Sequence, residues 1–355
     1  MKEIPIFFAV DNNYFPYMAV TLKSLLENAT PKYFYKFHVL SSSDLNEDWK
    51  KSVEKCLTPY SSIEYFDVRP AMAKIKENLH VRDYYSLDTY NRFFIDTLFP
   101  QYDKVIYLDA DIVVTGDISK LYNKNIANYL VGCVPEQVMQ KYRVFGEYVE
   151  KVLGCKLKTY FNAGMLLMNT KMFRAYNVQK RFVNLLKQYK FQVTQDEDYL
   201  NVICQNKTRI LDFGWNKMPF DDKKFDCKKV NLIHYNLNWK PWHYKHVLFE
   251  EEFWKYAKMT DFYNYIKKAR ETYTYKQKMD DTTGFENLKK LAQSEIDNPN
   301  NYKNVLDMKM SILKKGTHLF MNIPGIRSLI RIINSNGYKI AYVYRKRQRK
   351  TSSTR

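Results

Sequence analysis

The chain has 355 residues, 45% of them hydrophobic and 16% aromatic, with a formal net charge of +19. That is enough to build one substantial core and a second small unit, and no stretch approaches the length that a bilayer-spanning helix needs. The five cysteines (Cys56, Cys133, Cys155, Cys204, Cys227) are odd in number, widely spread and without a Cys-x-x-Cys pair. They fit reduced structural thiols in the cytoplasm and argue against a disulfide framework or a zinc site.

The apolar N-terminal run 4–10 is short and stops at Asp11, so no signal peptide is expected. The charge is uneven. Residues 303–355 hold 13 Lys or Arg against one acid, Asp307, a net of +12, and the other 302 residues carry +7. A nucleic-acid-binding body would share the basic excess, so the excess is a property of the tail.

In chain order, residues 4–10 read as a strand and 17–28 as a helix with Met18, Leu22, Leu25 and Leu26 on its apolar face. Residues 37–40 read as a strand, 47–57 as a helix and 63–68 as a strand. This βαβαβ order predicts a largely parallel sheet with helices on both faces. Ligands of such sheets bind beyond the carboxyl ends of the strands.

The run Val105-Ile106-Tyr107-Leu108-Asp109-Ala110-Asp111 is predicted as a buried strand ending in two aspartates. Alternation would put Asp109 and Asp111 on one side of it. Two such carboxylates are half of an oxygen site for a hard divalent cation that bridges to nucleotide phosphates. A solvated strand end has the same residues, and on these alone both readings stand. Asp11-Asn12-Asn13 also follows a strand, so the two segments are expected to meet across one crevice.

Phe161-Asn162-Ala163-Gly164 precedes Met165–Met168, another buried strand. The two small residues either admit close approach to the backbone or make a tight turn with Gly164 at positive φ. Thr194-Gln195-Asp196-Glu197-Asp198 opens a helix through Cys204, with Thr194 or Asp196 as N-cap, and capping is a sufficient local reason for the acids. His234 follows the apolar run 230–233, and Lys240 stands six residues on. Singly, such a histidine is structural or a metal ligand, and such a lysine is solvated or a phosphate partner. Residues 249–268 read as a closing amphipathic helix, and 270–302 as linker or peripheral helix.

Together these motifs resemble glycosyltransferase family 8, the retaining transferases that include lipooligosaccharide α-galactosyltransferases and glycogenin. The resemblance rests on five motifs in order: Phe8-Ala9-Val10-Asp11-Asn12-Asn13-Tyr14, Tyr107-Leu108-Asp109-Ala110-Asp111, Phe161-Asn162-Ala163-Gly164, Gln195-Asp196-Glu197-Asp198, and His234-Tyr235 with Lys240-Pro241-Trp242. It covers about residues 4–265. It implies an α/β fold of the GT-A type with a mixed, mainly parallel central sheet. It also implies that Asp109, Asp111 and His234 hold Mn2+, with Mg2+ as the alternative ion. By the same resemblance Ala9, Asp11 and Asn13 contact uracil and ribose of a UDP-sugar, Arg92 contacts the donor, and Ala110 lies between the metal aspartates in the donor site. Asn162, Asp196 and Glu197 match positions around the transferred sugar, and Lys240 a lysine on the diphosphate.

Two departures stand out. The family's lipooligosaccharide enzymes commonly have Gly in the His-Tyr-x-Gly segment, where this chain has Leu237. Glu197 stands where the family often has Gln. A carboxylate there either attacks the sugar in a two-step retaining route or accepts a hydrogen bond from a sugar hydroxyl.

The tail needs a separate reading. From Met308 on there are 12 basic residues and no acid; Ile326, Leu329, Ile330 and Ile333 keep helical spacing, and Gly316 and Pro324-Gly325 divide the segment into short pieces. Arg345-Lys346-Arg347-Gln348-Arg349 forms a dense basic end after Tyr338, Tyr342 and Tyr344. Such segments suit anionic membrane surfaces, and residues 308–350 are assigned that partner. The expected organisation is a catalytic domain at 1–268, a linker or peripheral helices at 269–302, and a basic amphipathic membrane-associating tail at 303–355. The expected function is transfer of glucose or galactose from a UDP-sugar to a saccharide acceptor. That acceptor is expected to be lipid-linked, in bacterial lipopolysaccharide-type synthesis at the inner face of the cytoplasmic membrane, with no nucleic-acid partner. The competing expectation is an inactive carbohydrate- or nucleic-acid-binding protein that uses the basic tail.

Overall fold

Nine strands are present among the described residues, which in this computed structural model are 1–73, 75, 87–220 and 229–321, with residues 87 and 313–321 described by backbone alone. They are β1 (Lys2–Ala9), β2 (Tyr33–Ser41), β3 (Ser61–Asp67), β4 (Val105–Leu108), β5 (Ile112–Val114), β6 (Val131–Cys133), β7 (Met165–Met168), β8 (Thr208–Ile210) and β9 (Leu232–His234). Seven form one sheet in the order β3-β2-β1-β4-β7-β6-β8, and β5 pairs with β9 in a second, two-stranded sheet. β1, β2, β3 and β4 run parallel, β7 is antiparallel to both β4 and β6, and β8 is parallel to β6. The expected mixed, mainly parallel α/β sheet is therefore present.

β1 is buried on both faces, as a central parallel strand with helices on either side must be. Ile4, Ile6 and Phe8 join the cluster that holds Met18, Leu22, Leu25 and Leu26 of the helix Phe15–Glu27. On the other face Phe7 stacks on His38 with ring centroids 4.6 Å apart and meets the edge of Phe99. The first two predicted helices appear as Phe15–Glu27 and Glu47–Glu54. Cys56, Cys133, Cys155 and Cys204 are buried free thiols.

Three expectations need correcting. The strand predicted through Asp111 breaks: β4 ends at Leu108 and β5 begins at Ile112. The reason is that β5 leaves the large sheet to pair with β9, with Ile112 opposite His234. Asp109 and Asp111 thus sit in the crossing between two sheets, and strand alternation does not set their direction. The single helix predicted at 249–268 is two, Glu250–Ala257 and Tyr263–Thr272. Between them the Thr260 hydroxyl donates to the Ala257 carbonyl and accepts from the Phe262 N–H at 3.3 Å. Such local bonds compete with helix continuation, and they turn Phe262 into the core beside Trp49.

The chain divides into two units, Met1–Asn298 and Pro299–Arg355. The first ends with the helix Tyr275–Asp297, opened by a capping box in which Thr274 and Gln277 bond reciprocally. In the second, the helix Tyr302–Met321 runs through Gly316 instead of stopping there, the third correction. One interior glycine costs only about 1 kcal/mol, too little to end a helix by itself. Leu306, Met308, Met310 and Ile312 are exposed on it. The predicted stripe from Ile326 to Ile333 and the basic end at 345–349 lie outside the described residues. No helix of the described residues is long and apolar enough to cross a membrane.

Candidate functional site

The crossing from β4 to β5 is held from three sides. Asp109 N–H donates to the Gly164 carbonyl at 2.7 Å, and Tyr235 N–H donates to the Asp111 carbonyl at 2.9 Å. From the helix Phe15–Glu27, the buried Thr21 hydroxyl lies 2.8 Å and 2.7 Å from the carbonyls of Ala110 and Ile112. These contacts aim both aspartates at His234, which ends β9. Asp111 Oδ1 is 3.1 Å from His234 Nε2, and Asp109 Oδ2 is 4.0 Å from it. One ligand atom from each of the three residues lies within 4.8 Å of the other two.

A hydrogen-bond chain fixes the histidine. Asn162 Oδ1 accepts from Gly164 N–H at 3.0 Å and from Asn216 Nδ2 at 2.9 Å. Asn216 therefore turns its carbonyl oxygen to His234 Nδ1, 3.0 Å away. With the proton on Nδ1, the Nε2 lone pair faces the two carboxylates. Neither His234 Nε2 nor Asp111 Oδ1 makes a hydrogen bond, though both are buried. Buried polar atoms of native proteins are ordinarily satisfied. Two carboxylates and one imidazole oriented by an amide are a donor set that a divalent cation satisfies. The residues fit a metal.

Gly164 is small because of this cluster. Its backbone is not left-handed. A Cβ there would stand 2.3 Å from His234 Cε1 and 2.6 Å from Asp109 Oδ2, so of the two sequence readings close approach is the one realised. Leu237 holds φ at 53°, in the region glycine favours, with its N–H on Asn236 Oδ1 at 2.7 Å. The chain keeps a glycine-like backbone at this position with a leucine in it.

Charge partners surround the cluster. Lys240 is buried and pairs with Asp111 Oδ2. Burial works against the Asp111 carboxylate, but the Lys240 ammonium outweighs it and holds its pKa well below the usual range. Arg92 is buried and forks: Nε donates to the Thr89 carbonyl at 2.7 Å, Nη1 to the Ala163 carbonyl and Nη2 to Asp109 Oδ1 at 3.1 Å. Its Nε also lies 3.3 Å from Asp196 Oδ2. Tyr107 donates to Asp109 Oδ1 at 3.0 Å.

The helix Asp196–Cys204 starts from Gln195, whose backbone stands at φ 52°, and has no side-chain cap. The expected capping by Thr194 or Asp196 does not occur, because a tertiary network takes up these groups. The Thr194 hydroxyl is 2.7 Å from that of Tyr160, and Asp198 accepts from Tyr148, Tyr160 and Thr194 N–H. Asp196 turns to Arg92, while Glu197 Oε2 accepts from Asn162 Nδ2 at 3.1 Å and Ala163 N–H at 2.9 Å. Burial raises Asp196 to about 6, with Arg92 opposing and Asp109 adding. Burial and then Glu136 push Glu197 well above the usual carboxyl range. Glu136 itself is raised by burial to about 7.

These groups open on a cleft lined among others by Arg92, Asp109, Asn162, Asp196, Glu197 and Leu237. Ala9, Asp11 and Asn13 stand at the carboxyl end of β1, beside the end of β4, since Phe7 pairs with Tyr107. Asp11 Oδ1 accepts from the N–H groups of Asn13 and Tyr14 at 2.9 Å and 3.1 Å. Tyr14 lies between this turn and the two aspartates: after burial, Asp111, Asp109 and Asp11 raise its pKa. The structure thus gathers the expected site residues at one end of the central strands. Only part of the set, including Arg92, Asp109, Asn162 and Glu197, faces the cleft itself.

Sequence reading missed Asn216 and Glu136. Asn216 follows a short turn at Phe213–Trp215, with no local signal to mark it. Glu136 follows β6 and Val134-Pro135, and a carboxylate beyond a buried strand is the signal that singled out Asp109.

Residues 5–246 match the model of the family described as "Glycosyl transferase family 8". A Haemophilus influenzae protein named as a glycosyltransferase is 30% identical over 253 residues, 69% of this chain and 74% of that protein. The lipopolysaccharide 1,3-galactosyltransferase of Salmonella typhimurium is 28% identical over 250 residues, 67% of this chain and 72% of its own. Among solved structures, the galactosyltransferase LgtC in complex with donor and acceptor sugar analogues superposes with TM-score 0.62 at 25% identity, covering 73% of this chain and 96% of LgtC. The bifunctional glycosyltransferase WbbM superposes with TM-score 0.67 at 26% identity over 76% of this chain, which spans about half of WbbM (52%).

Proposed function

Because the chain belongs to glycosyltransferase family 8 and is a glycosyltransferase of the GT-A type, we propose that it moves glucose or galactose from a UDP-sugar to a saccharide hydroxyl with retained α configuration. The observation that carries this reading is the set Asp109, Asp111 and His234, of which Asp109 lines the cleft, with two buried ligand atoms lacking hydrogen bonds. These residues would hold Mn2+, or Mg2+ as the alternative ion. When bound, such a cation supplies Lewis-acid stabilisation of the diphosphate oxygens.

Ala9, Asp11 and Asn13 bind uracil and ribose at the end of β1. Arg92 keeps Asp109 and Asp196 in place with its fork, beside the donor. Breaking the sugar–phosphate bond builds negative charge on the β-phosphate oxygen. The Lys240 ammonium, already within the cluster, is the fixed positive charge this chain brings to that oxygen. Asn162 and Asp196 hold the transferred sugar. The acceptor oxygen bonds to the anomeric carbon on the face the diphosphate leaves, and its proton goes to the departing phosphate. Glu197 suits a sugar hydroxyl better than a covalent role. Its Oε2 is occupied by Asn162 and Ala163 N–H, and burial beside Glu136 favours its protonated form, a poor nucleophile.

The basic excess after Met308 supports a lipid-linked acceptor, reached from an anionic membrane surface at the cytoplasmic face through residues 308–350. The lipopolysaccharide galactosyltransferase among the relatives supports a cell-surface glycan as product. UDP release from UDP-glucose and UDP-galactose, with and without Mn2+, in wild type and Asp111→Asn, tests the core of this reading. Mn2+-dependent release from one donor, lost in the variant, is expected and names the sugar. A wild-type protein that binds no UDP in the presence of Mn2+ overturns it.

A further inference from the structure

The helix Tyr275–Asp297 lies beyond the residues matched by the family model, yet it is joined to the segment that carries Lys240. Lys240 owes its backbone position to three neighbours. Its N–H donates to the Asn238 carbonyl at 2.9 Å, and its own carbonyl accepts from Tyr244 N–H at 2.9 Å and from His243 N–H at 3.0 Å. Asn238 and Tyr244 are both tied to one residue of the helix. Asn238 Nδ2 donates to the Asp281 carbonyl at 2.9 Å, and the Tyr244 hydroxyl donates to Asp281 Oδ2 at 2.6 Å. A third donor, the Tyr273 hydroxyl, reaches the same Oδ2 at 2.8 Å, and the Tyr273 ring stacks on His243 at 3.8 Å with the planes 5° apart. About one turn further on, Phe285 packs against Tyr142 and Phe145, and about two turns on the buried Leu288 lines the cleft.

We propose that Asp281 is a positioning residue of the active site: through Tyr244 and Asn238 it holds the turn that presents the Lys240 ammonium to the donor diphosphate. This rests on the reading of Lys240 as the diphosphate partner. The physical reason is pre-organisation. A lysine side chain is long and flexible, and an ammonium that must find its place at each encounter gives up part of its electrostatic gain. Clamping two of the three hydrogen-bond neighbours of Lys240 to one residue, Asn238 through its main-chain carbonyl and Tyr244 through its carboxylate, removes backbone freedom where the long side chain begins. A helix outside the matched region thereby becomes part of the donor site.

The full chain is titrated with UDP and, separately, with uridine, both with Mn2+ present. Asp281→Ala should lose about tenfold in UDP affinity, the worth of one or two hydrogen bonds, and nothing in uridine affinity, since uridine has no phosphate for Lys240. In a double-mutant cycle the same change should cost under about twofold when Lys240→Ala is already present. Tyr244→Phe, which keeps the ring and removes one clamp, should lose about threefold for UDP alone, and it carries the test if Asp281→Ala does not fold. Wild-type UDP affinity in these variants, equal losses for UDP and uridine, or an undiminished loss in the Lys240→Ala background each overturn the proposal. A wild-type chain that binds no UDP removes instead the reading of Lys240 on which it rests.

Discussion

Gly164 and His234 stand so close that a Cβ on the glycine would lie 2.3 Å from the imidazole Cε1. The glycine ends the segment that supplies Asn162, and the histidine ends β9. Their contact brings the Asn162 segment and the strand of His234 together with no side chain between them. Gly164→Ala should therefore push His234 or Asp109 out of line. We expect a stability loss of about 1–3 kcal/mol from overpacking and a larger relative loss of Mn2+ affinity. Urea unfolding and Mn2+ titration measure the two; unchanged Mn2+ binding would show that the ligands do not meet here.

Asn216 touches His234 only on the side away from the aspartates. Asn216→Ala frees Nδ1 and lets the ring change tautomer or rotate. Loss of such an outer partner typically costs about 10–100-fold in metal affinity. Mn2+ titration followed by paramagnetic resonance reads this directly, and a loss below about twofold would show that the amide does not orient the ligand.

Glu136 gives a pH dependence with a definite sign. Its carboxyl is raised from 4.5 to about 7 by burial. Below about pH 4.5 both folded and unfolded chains hold this proton. Between 4.5 and 7 the unfolded chain has released it and the folded one has not, so this group makes stability fall as pH rises through that window. Glu136→Gln should be more stable than wild type at pH 8, by on the order of 2 kcal/mol, with no such gain at pH 4. Denaturant midpoints at the two pH values decide it, and an equal gain at both would point to packing instead of charge.

Arg92 should not accept lysine. Its fork satisfies the carbonyls of Thr89 and Ala163 together with Asp109, and an ammonium cannot span them. Arg92→Lys should cost about 3 kcal/mol, the lower end for breaking a buried ionic network. A midpoint within experimental error of wild type would show that the fork is dispensable.

The two units should separate by function. A chain ending at Asn298 is expected to bind UDP with Mn2+ as the full chain does and to lose binding to anionic vesicles. Surface-proximal bases are worth about 1 kcal/mol each, so the full chain should leave the vesicles as salt rises. Cosedimentation with vesicles of anionic and of neutral lipid checks both; equal binding by the shortened chain would remove the tail from the membrane reading.

The sequence by itself determined the strand-and-helix order of the first 70 residues, because alternation and helical spacing are local consequences of backbone geometry. It also marked Asp109, Asp111, Asn162, Asp196, Glu197 and His234, since polar residues beyond buried strands are where an α/β sheet binds ligands. It misjudged how those residues are aimed. The two aspartates point together because β5 crosses to β9, and the acids at Asp196 and Asp198 leave helix capping to meet Arg92, Tyr148 and Tyr160. Only the tertiary structure decided the roles of Asn216, Glu136 and Asp281. Their partners His234, Glu197 and Tyr244 belong to other segments of the chain, with Asn216 and His234 18 residues apart and Asp281 and Tyr244 37 apart. Hydrogen bonds and burial between distant segments leave no period in the chain, so they become visible only once the fold has brought the segments together.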